Sequence, residues 1–133
     1  MSKYARSFHL PWSLGTTSDD RISKSVDSLI GINIVITEKL DGSNTAFTKN
    51  GVYGRSHVEF TRNPWDIKSW DIWNRISRNI DEDVYIFGEG MYGIHSIEYS
   101  NLKSYFYIFG VRDNNIWISW DQVEEYTNCP SII

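Results

Sequence analysis

The sequence predicts an α+β fold, and three observations predict it. Asn50-Gly51 sits between two short runs of β-forming residues, an apolar helical pattern follows Asn63-Pro64, and two aromatic-rich runs, Val84 to Gly88 and Tyr105 to Val111, come after that helix. Strands joined by tight turns, with helices set apart from them, make the sheet structure antiparallel-rich. At 133 residues the chain has the length of one domain, 1–133, and can bury a core of its own.

The elements follow in order. Leu10-Pro11-Trp12-Ser13-Leu14-Gly15 is turn chemistry, because proline fixes φ and glycine takes positive φ freely. Ser18-Asp19-Asp20 supplies a cap for a short helix to about Leu29, with Gly31 as its stop. Ile32 to Glu38, rich in β-branched residues, reads as a strand. Thr45 to Thr48 and Val52 to Arg55 read as a hairpin around Lys49-Asn50-Gly51, since Asn-Gly suits the backbone of a tight hairpin turn. Asn63 as N-cap and Pro64 at the first helical position open a helix. Ile67, Trp70, Trp73, Ile76 and Ile80, with Ile72 beside them, recur at helical spacing and form one apolar face about four turns long. That period makes the tryptophans core residues rather than a ligand platform. Val84 to Gly88 is a strand. Tyr105 to Val111 is apolar almost throughout, as expected of a strand covered on both faces. Ile116 to Ser119 returns as its hairpin partner across Asp113-Asn114-Asn115. Ser119-Trp120-Asp121-Gln122 is a capping box that opens a helix to about Tyr126, and Cys129 to Ile133 leads into a further strand.

Composition narrows the function classes. Apolar residues are 41%, charged residues 23% and aromatic residues 15%, which speaks for a packed globular chain and against disorder. A net charge of −4 gives no global basic footprint for nucleic acid. The single cysteine, Cys129, rules out an internal disulfide and a cysteine-based zinc site. His9, His57 and His95 have no metal-ligand spacing. No apolar run approaches the ~20 residues that span a bilayer, and the N-terminus lacks a signal-peptide core. The expected location is the cytoplasm, that of the host if the chain is viral, with no membrane partner.

The chemistry concentrates at Thr37-Glu38-Lys39-Leu40-Asp41-Gly42-Ser43-Asn44, where one amine stands at the mouth of a turn. An amine held there can attack phosphorus. Taken alone, Lys-x-Asp-Gly reads equally as a solvated lysine before an Asp-Gly turn. Three later segments add weight: Tyr53-Gly54-Arg55-Ser56-His57, Ile86-Phe87-Gly88-Glu89-Gly90 and Tyr105-Phe106-Tyr107-Ile108-Phe109-Gly110-Val111.

In order and spacing these segments resemble the ATP-dependent RNA ligase family of covalent lysyl-AMP nucleotidyltransferases. The leader His9-Leu10-Pro11-Trp12-Ser13 with Ser18-Asp19-Asp20 resembles a phage and bacterial branch of it, whose setting is RNA repair. The resemblance implies an adenylation domain with two sheets, flanking helices and a nucleotide groove between the sheets. It implies that Lys39 attacks the ATP α-phosphate, expels pyrophosphate and holds AMP. The AMP passes to an RNA 5′-phosphate, and a 3′-hydroxyl then seals the strand. In that scheme Glu38 meets the adenine amine, Glu89 the ribose hydroxyls and Asn44 a phosphate. Asp41 and Gly42 complete the nucleophile motif, and Phe109 stacks on the base. Arg55 contacts ribose, phosphate or the RNA end. ATP and Mg2+ are the implied cofactors and RNA ends the partners. Alternatives stand beside several roles: Glu89 as an edge-strand charge, Arg55 paired with Glu59, and Phe106 in place of Phe109, since strict alternation puts the two phenylalanines on opposite faces.

The sequence also departs from the family. Gly110 follows Phe109 where an aspartate is common, and the later Glu-Gly and two-lysine motifs do not occur. The chain is therefore expected to match the N-terminal motifs only, to stop before the domain's last strands and to leave a sheet edge for self-association or a partner chain. The loss bears on catalysis. Free lysine is an ammonium at neutral pH, carboxylates such as Glu38 and Asp41 favour that charged form, and the basic residues that would oppose them are missing. Slow or absent adenylylation by this chain alone is expected. The alternative is a catalytically incomplete relative that binds nucleotide or RNA ends, or an interaction module.

Overall fold

The computed structural model describes residues 3–128, so the strand expected from Cys129 onward lies outside the described residues. The chain divides into two compact units, Tyr4–Glu38 and a larger one made of Lys3 and the part from Lys39 onward.

The larger unit is α+β. Its strands are β1 (Ser43–Thr48), β2 (Gly51–Gly54), β3 (Val84–Gly90), β4 (Phe106–Asp113) and β5 (Ile116–Trp117). They form one antiparallel sheet in the order β2-β1-β3-β4-β5. Where a pair of sheets was expected, the described residues form this one. Two helices accompany it, α1 (Ile67–Ile76) and α2 (Trp120–Asn128).

The turn residues explain the connections. Thr48 pairs with Gly51, leaving Lys49-Asn50 as a two-residue hairpin turn. Asp113 pairs with Ile116, and both residues between them take left-handed backbone, Asn114 at φ 45° and Asn115 at φ 65°. That double left-handed turn matches the twist of the flanking strands, and asparagine tolerates it. The capping box at α2 forms as read: the Ser119 amide donates to Gln122 Oε1 at 3.0 Å and the Gln122 amide to Ser119 Oγ at 3.4 Å. Asn63 behaves differently. It precedes a 3-10 turn, Pro64–Asp66, and its side-chain amide donates to Thr61 Oγ1 and Asp66 Oδ2 instead of capping.

One face of the sheet carries the apolar core. Phe47, Val52, Ile86, Phe106 and Val111 pack with Ile72, Ile76 and Ile80 and with Val123 of α2. Each fully buried side chain of this size contributes roughly 1.5–3 kcal/mol. Trp70 and Trp73 flank the core and spend their indole N–H groups on the carbonyls of Thr61 (3.0 Å) and Thr48 (2.7 Å), which fastens α1 to the hairpin. Ile67, expected on the apolar face, is exposed, and Ile72 takes the inward position. The opposite face carries a second layer. The buried guanidinium of Arg112 lies over the rings of Tyr85 (4.7 Å), Phe87 (5.5 Å) and Trp117 (5.7 Å), and His57 stacks on Phe87 at 5.7 Å. β4 is thus covered on both faces.

A β-bulge interrupts β4. Phe87 pairs with Gly110 and Gly88 with Ile108, so Phe109 is the extra residue. The extra residue shifts the phase of the strand. Phe106, Ile108 and Val111 all reach the core, while Arg112 faces the aromatic layer.

The smaller unit, Tyr4–Glu38, has little regular structure. His9 forms a parallel bridge with Ile22: its amide donates to Arg21 O (2.7 Å), and its carbonyl accepts from Ser23 N–H (2.8 Å). Asp20 accepts from the Thr17 amide at 2.7 Å and lies 3.5 Å from His9 Nε2. Of the helix expected up to Leu29, only the 3-10 turn Asp27–Leu29 forms, because the Ser18-Asp19-Asp20 groups are used in a turn that Asp20 closes onto Thr17. Gly31 takes positive φ (77°), as a stop residue should. The expected strand from Ile32 to Glu38 is absent. The segment has no ladder partner among the described residues, and Ile32, Ile34, Val35 and Ile36 are all exposed.

Candidate active site

The Lys-x-Asp-Gly turn leads directly into β1, and β1 pairs with β3. That register sets Ser43 opposite Gly90 and Asn44 opposite Glu89. Two motif residues far apart in sequence therefore become direct neighbours. The Gly42 amide closes the arrangement by donating to Glu89 Oε1 at 3.0 Å. Glycine is required at position 42 by close approach: a Cβ there would collide with the Gly90 carbonyl and lie 2.8 Å from Met91 Sδ. Glu89 is not the edge charge that was its alternative reading, because β3 runs between β1 and β4. Partial burial raises its pKa. The Gly42 hydrogen bond and the positive charge of Lys39 act in the opposite direction.

A long loop, residues 91–105, folds back over the motif. Its ends are clamped by the Met91 amide donating to the Tyr105 carbonyl (2.9 Å). Asp41 Oδ2 accepts from the Ser96 amide at 3.0 Å and the Ser96 hydroxyl at 2.5 Å, and the Asp41 amide donates to Tyr99 Oη at 3.0 Å. Ser43 Oγ and His95 Nε2 are 3.1 Å apart. The Ser96 hydrogen bonds hold the Asp41 carboxyl below the usual carboxylate range. Tyr107, paired with Glu89 across β3 and β4, accepts at its hydroxyl from the Lys103 and Ser104 amides, which fixes the far end of the loop. Between loop and motif lies an open cleft of ≈ 200 Å³ whose lining includes Asp41, Tyr92, Ile97, Glu98 and Tyr105.

The structure thus brings Asp41, Gly42, Asn44 and Glu89 together, with Lys39 exposed but close enough for its charge to act on Glu89. Phe109 is half-buried at the bulge, one strand over from Glu89. Phe106, its alternative, is a core residue: it is 2% exposed and stacks on Phe47 at 4.0 Å between ring centroids. Arg55 is exposed one residue beyond the Gly54–Thr45 pair and, among the described residues, forms no ion pair with Glu59. Glu38 belongs to the smaller unit, where it lies in exposed irregular chain. Tyr99 and Tyr107 were given no role from the sequence, whereas Ser96 ends the run Met91 to Ser96, whose place at the site the sequence left open. Ser96 and Tyr99 sit in a loop with no periodic pattern.

Among the described residues no group of three or more His, Cys, Asp or Glu is placed to hold a metal ion, and Asp41 is already committed to Ser96. Nor, among the described residues, is any helix long and apolar enough to cross a membrane. Comparison with curated proteins and with solved structures returned no match. A sequence model of the RNA ligase family, by contrast, matches residues 32–131, a span that runs from the segment before Lys39 past the end of β4. The chain belongs to the RNA ligase family.

Proposed function

We propose that this chain carries the nucleotidyl-transfer step of an RNA ligase, with Lys39 as nucleophile. The Lys39 amine attacks the α-phosphorus of ATP, a nitrogen–phosphorus bond forms, and the bond to the β-phosphate oxygen breaks to release pyrophosphate. AMP then passes to an RNA 5′-phosphate, and a 3′-hydroxyl displaces it to seal the strand. Glu89 binds the ribose hydroxyls, using the acceptor capacity that its bond to Gly42 leaves. Asn44 meets phosphate, Arg55 contacts ribose, phosphate or the RNA end, Phe109 stacks on the base and Glu38 accepts from the adenine amine. The observation that carries the reading is the hydrogen bond from Gly42 to Glu89, supported by the pairing of Asn44 with Glu89. It joins the nucleophile turn to the acidic strand in the arrangement that the motif order calls for.

A second reading is binding without transfer. It is favoured by the exposure of Lys39, because a lysine nucleophile is activated by desolvation or a neighbouring cation. Incubation with α-labelled ATP and magnesium, followed by denaturing electrophoresis, separates the two. Label that stays on the protein and disappears in Lys39→Ala supports transfer. Nucleotide binding without covalent label refutes transfer for this chain and leaves binding.

A further inference from the structure

Of the residues that the nucleotide scheme uses, Asp41 alone lines the cleft between the nucleophile turn and the 91–105 loop, so the scheme leaves the rest of it without a ligand. Its walls are chemically specific. Tyr92 and Tyr105 meet edge to face, with centroids 5.3 Å apart at an interplanar angle of 90°. Both are exposed at 44–45%, and Ile97 beside them is half exposed. Beside Tyr92, Gly93 packs closely on the Trp65 side chain, where an added Cβ would lie 2.8 Å from it. The polar lining is acidic, from Asp41 and Glu98. On α1, Lys68 Nζ stands 5.7 Å over the Tyr92 ring.

This pattern sorts ligands. Two carboxylates in the lining disfavour a triphosphate inside the cleft. The exposed tyrosine rings favour a planar ligand, and, with Asp41 Oδ2 held by Ser96, the Glu98 carboxylate is the acceptor for the exocyclic amine of a base. A volume of ≈ 200 Å³ suits one such ring system rather than a helix or a strand. Lys68, 5.7 Å over the Tyr92 ring and 3.5 Å from the Asp71 carboxylate, is the cation beside that ring that a backbone phosphate of the same nucleotide would meet. Aromatic stacking inside and a cation at the rim are how proteins hold single-stranded nucleic acid. Because Asp41 is both a wall of the cleft and two residues from Lys39, whatever occupies it lies against the nucleophile turn.

We propose that this cleft binds one unpaired base of the RNA substrate next to the end being joined, with preference for amine-bearing bases over uracil. The proposal rests on the reading that RNA ends come to Lys39. The Asp41–Ser96 and Asp41–Tyr99 hydrogen bonds then couple the loop that forms the base cleft to the turn that carries the nucleophile.

The test is fluorescence anisotropy with short 5′-phosphorylated oligoribonucleotides that differ only in their terminal base, on protein not exposed to ATP. The expected result is tighter binding of adenine and cytosine ends than of uracil ends. Tyr92→Ala should weaken binding about tenfold or more, as loss of a stacking platform does. Tyr92→Phe should restore it, and Glu98→Gln should flatten the base preference. Both positions are exposed, so the variants should fold, and circular dichroism checks this directly. Equal affinity of wild type and Tyr92→Ala for all ends overturns the proposal. A fall in ATP affinity in place of RNA affinity also overturns it, by giving the cleft to the nucleotide. Because the readout is RNA binding, absence of label on Lys39 would count against the transfer reaction and not against the cleft.

Discussion

Replacing Gly42 with alanine tests whether the Lys39–Gly42 turn is held by close backbone approach. The added methyl collides with the Gly90 carbonyl and lies 2.8 Å from Met91 Sδ and 3.2 Å from Glu89 Cγ. The sulfur can move, but the carbonyl belongs to the β1–β3 ladder and cannot. The turn must lift, and the bond from the Gly42 amide to Glu89 is stretched or lost. Overpacking costs about 1–3 kcal/mol. A hydrogen bond to a charged acceptor contributes about 1.5–3 kcal/mol, and the half-exposed position of Glu89 takes the lower end. The combined loss is about 2–3 kcal/mol, because relief of the clash and loss of the bond are one movement. For a chain of 133 residues this corresponds to a fall in melting temperature of about 7–11 °C. Thermal unfolding by circular dichroism measures it, and nucleotide affinity should fall in parallel. A Gly42→Ala variant that melts with the wild type and binds nucleotide normally refutes the argument, since it would mean that the turn has room the geometry denies it.

Three further outcomes follow from the same structure. Phe106→Ala should cost about 3–5 kcal/mol, as removal of a buried phenylalanine does, whereas Phe109→Ala should lower nucleotide affinity with a smaller change in stability; the reverse pattern in melting and binding would show the two roles exchanged. The lowered pKa of Asp41 means that its tie to Ser96 is fully stabilising above the ordinary value of 3.8 and is lost as pH falls through the folded-state value; a Ser96 amide resonance that titrates at or above 3.8 would contradict this, and Asp41→Asn should abolish the titration. Burial, with a contribution from Arg112, pushes the His57 pKa below 6.5. The unfolded chain then binds the proton first, so stability should fall as pH drops through 6.5 and level off below the folded-state value. His57→Asn tolerates the left-handed backbone (φ 52°) and should flatten that part of the pH–melting profile; an unchanged profile would remove His57 as its source.

Much of the sheet could be read from local chemistry. The capping box at Ser119, the turn at Asn114-Asn115 and the spacing of Trp70, Trp73 and Ile76 each act within a few residues, so the sequence carries their cause. Ile32 to Glu38 failed for the opposite reason. β-propensity describes a fit to a pleated surface, but a strand also needs a neighbour, and no local pattern reports whether one exists. The candidate site divides the same way. Lys39, Asp41, Gly42 and Glu89 were legible as motifs, and the register of β1 against β3 joined them. Ser96 and Tyr99 act through a loop with no period, so their contact with Asp41 emerges only in three dimensions. The apolar cluster at Ile72 and Ile76 was expected, while the buried stack of His57 and Arg112 on Phe87 had no signal that distinguishes it from a solvated surface.

The extra residue in β4 divides the strand into two segments with independent phasing. On the Val111 side, alternation is slaved to packing against the core. On the Phe106–Ile108 side it is set by pairing with Gly88, Glu89 and Gly90. An insertion or deletion at Phe109 would therefore invert one segment relative to the other, exchanging an arginine for a valine beneath the helices. Variation in strand length is closed to this position even though substitution is not: the half-buried side chain at 109 can change character, but the number of residues there is fixed by the opposite side of the sheet.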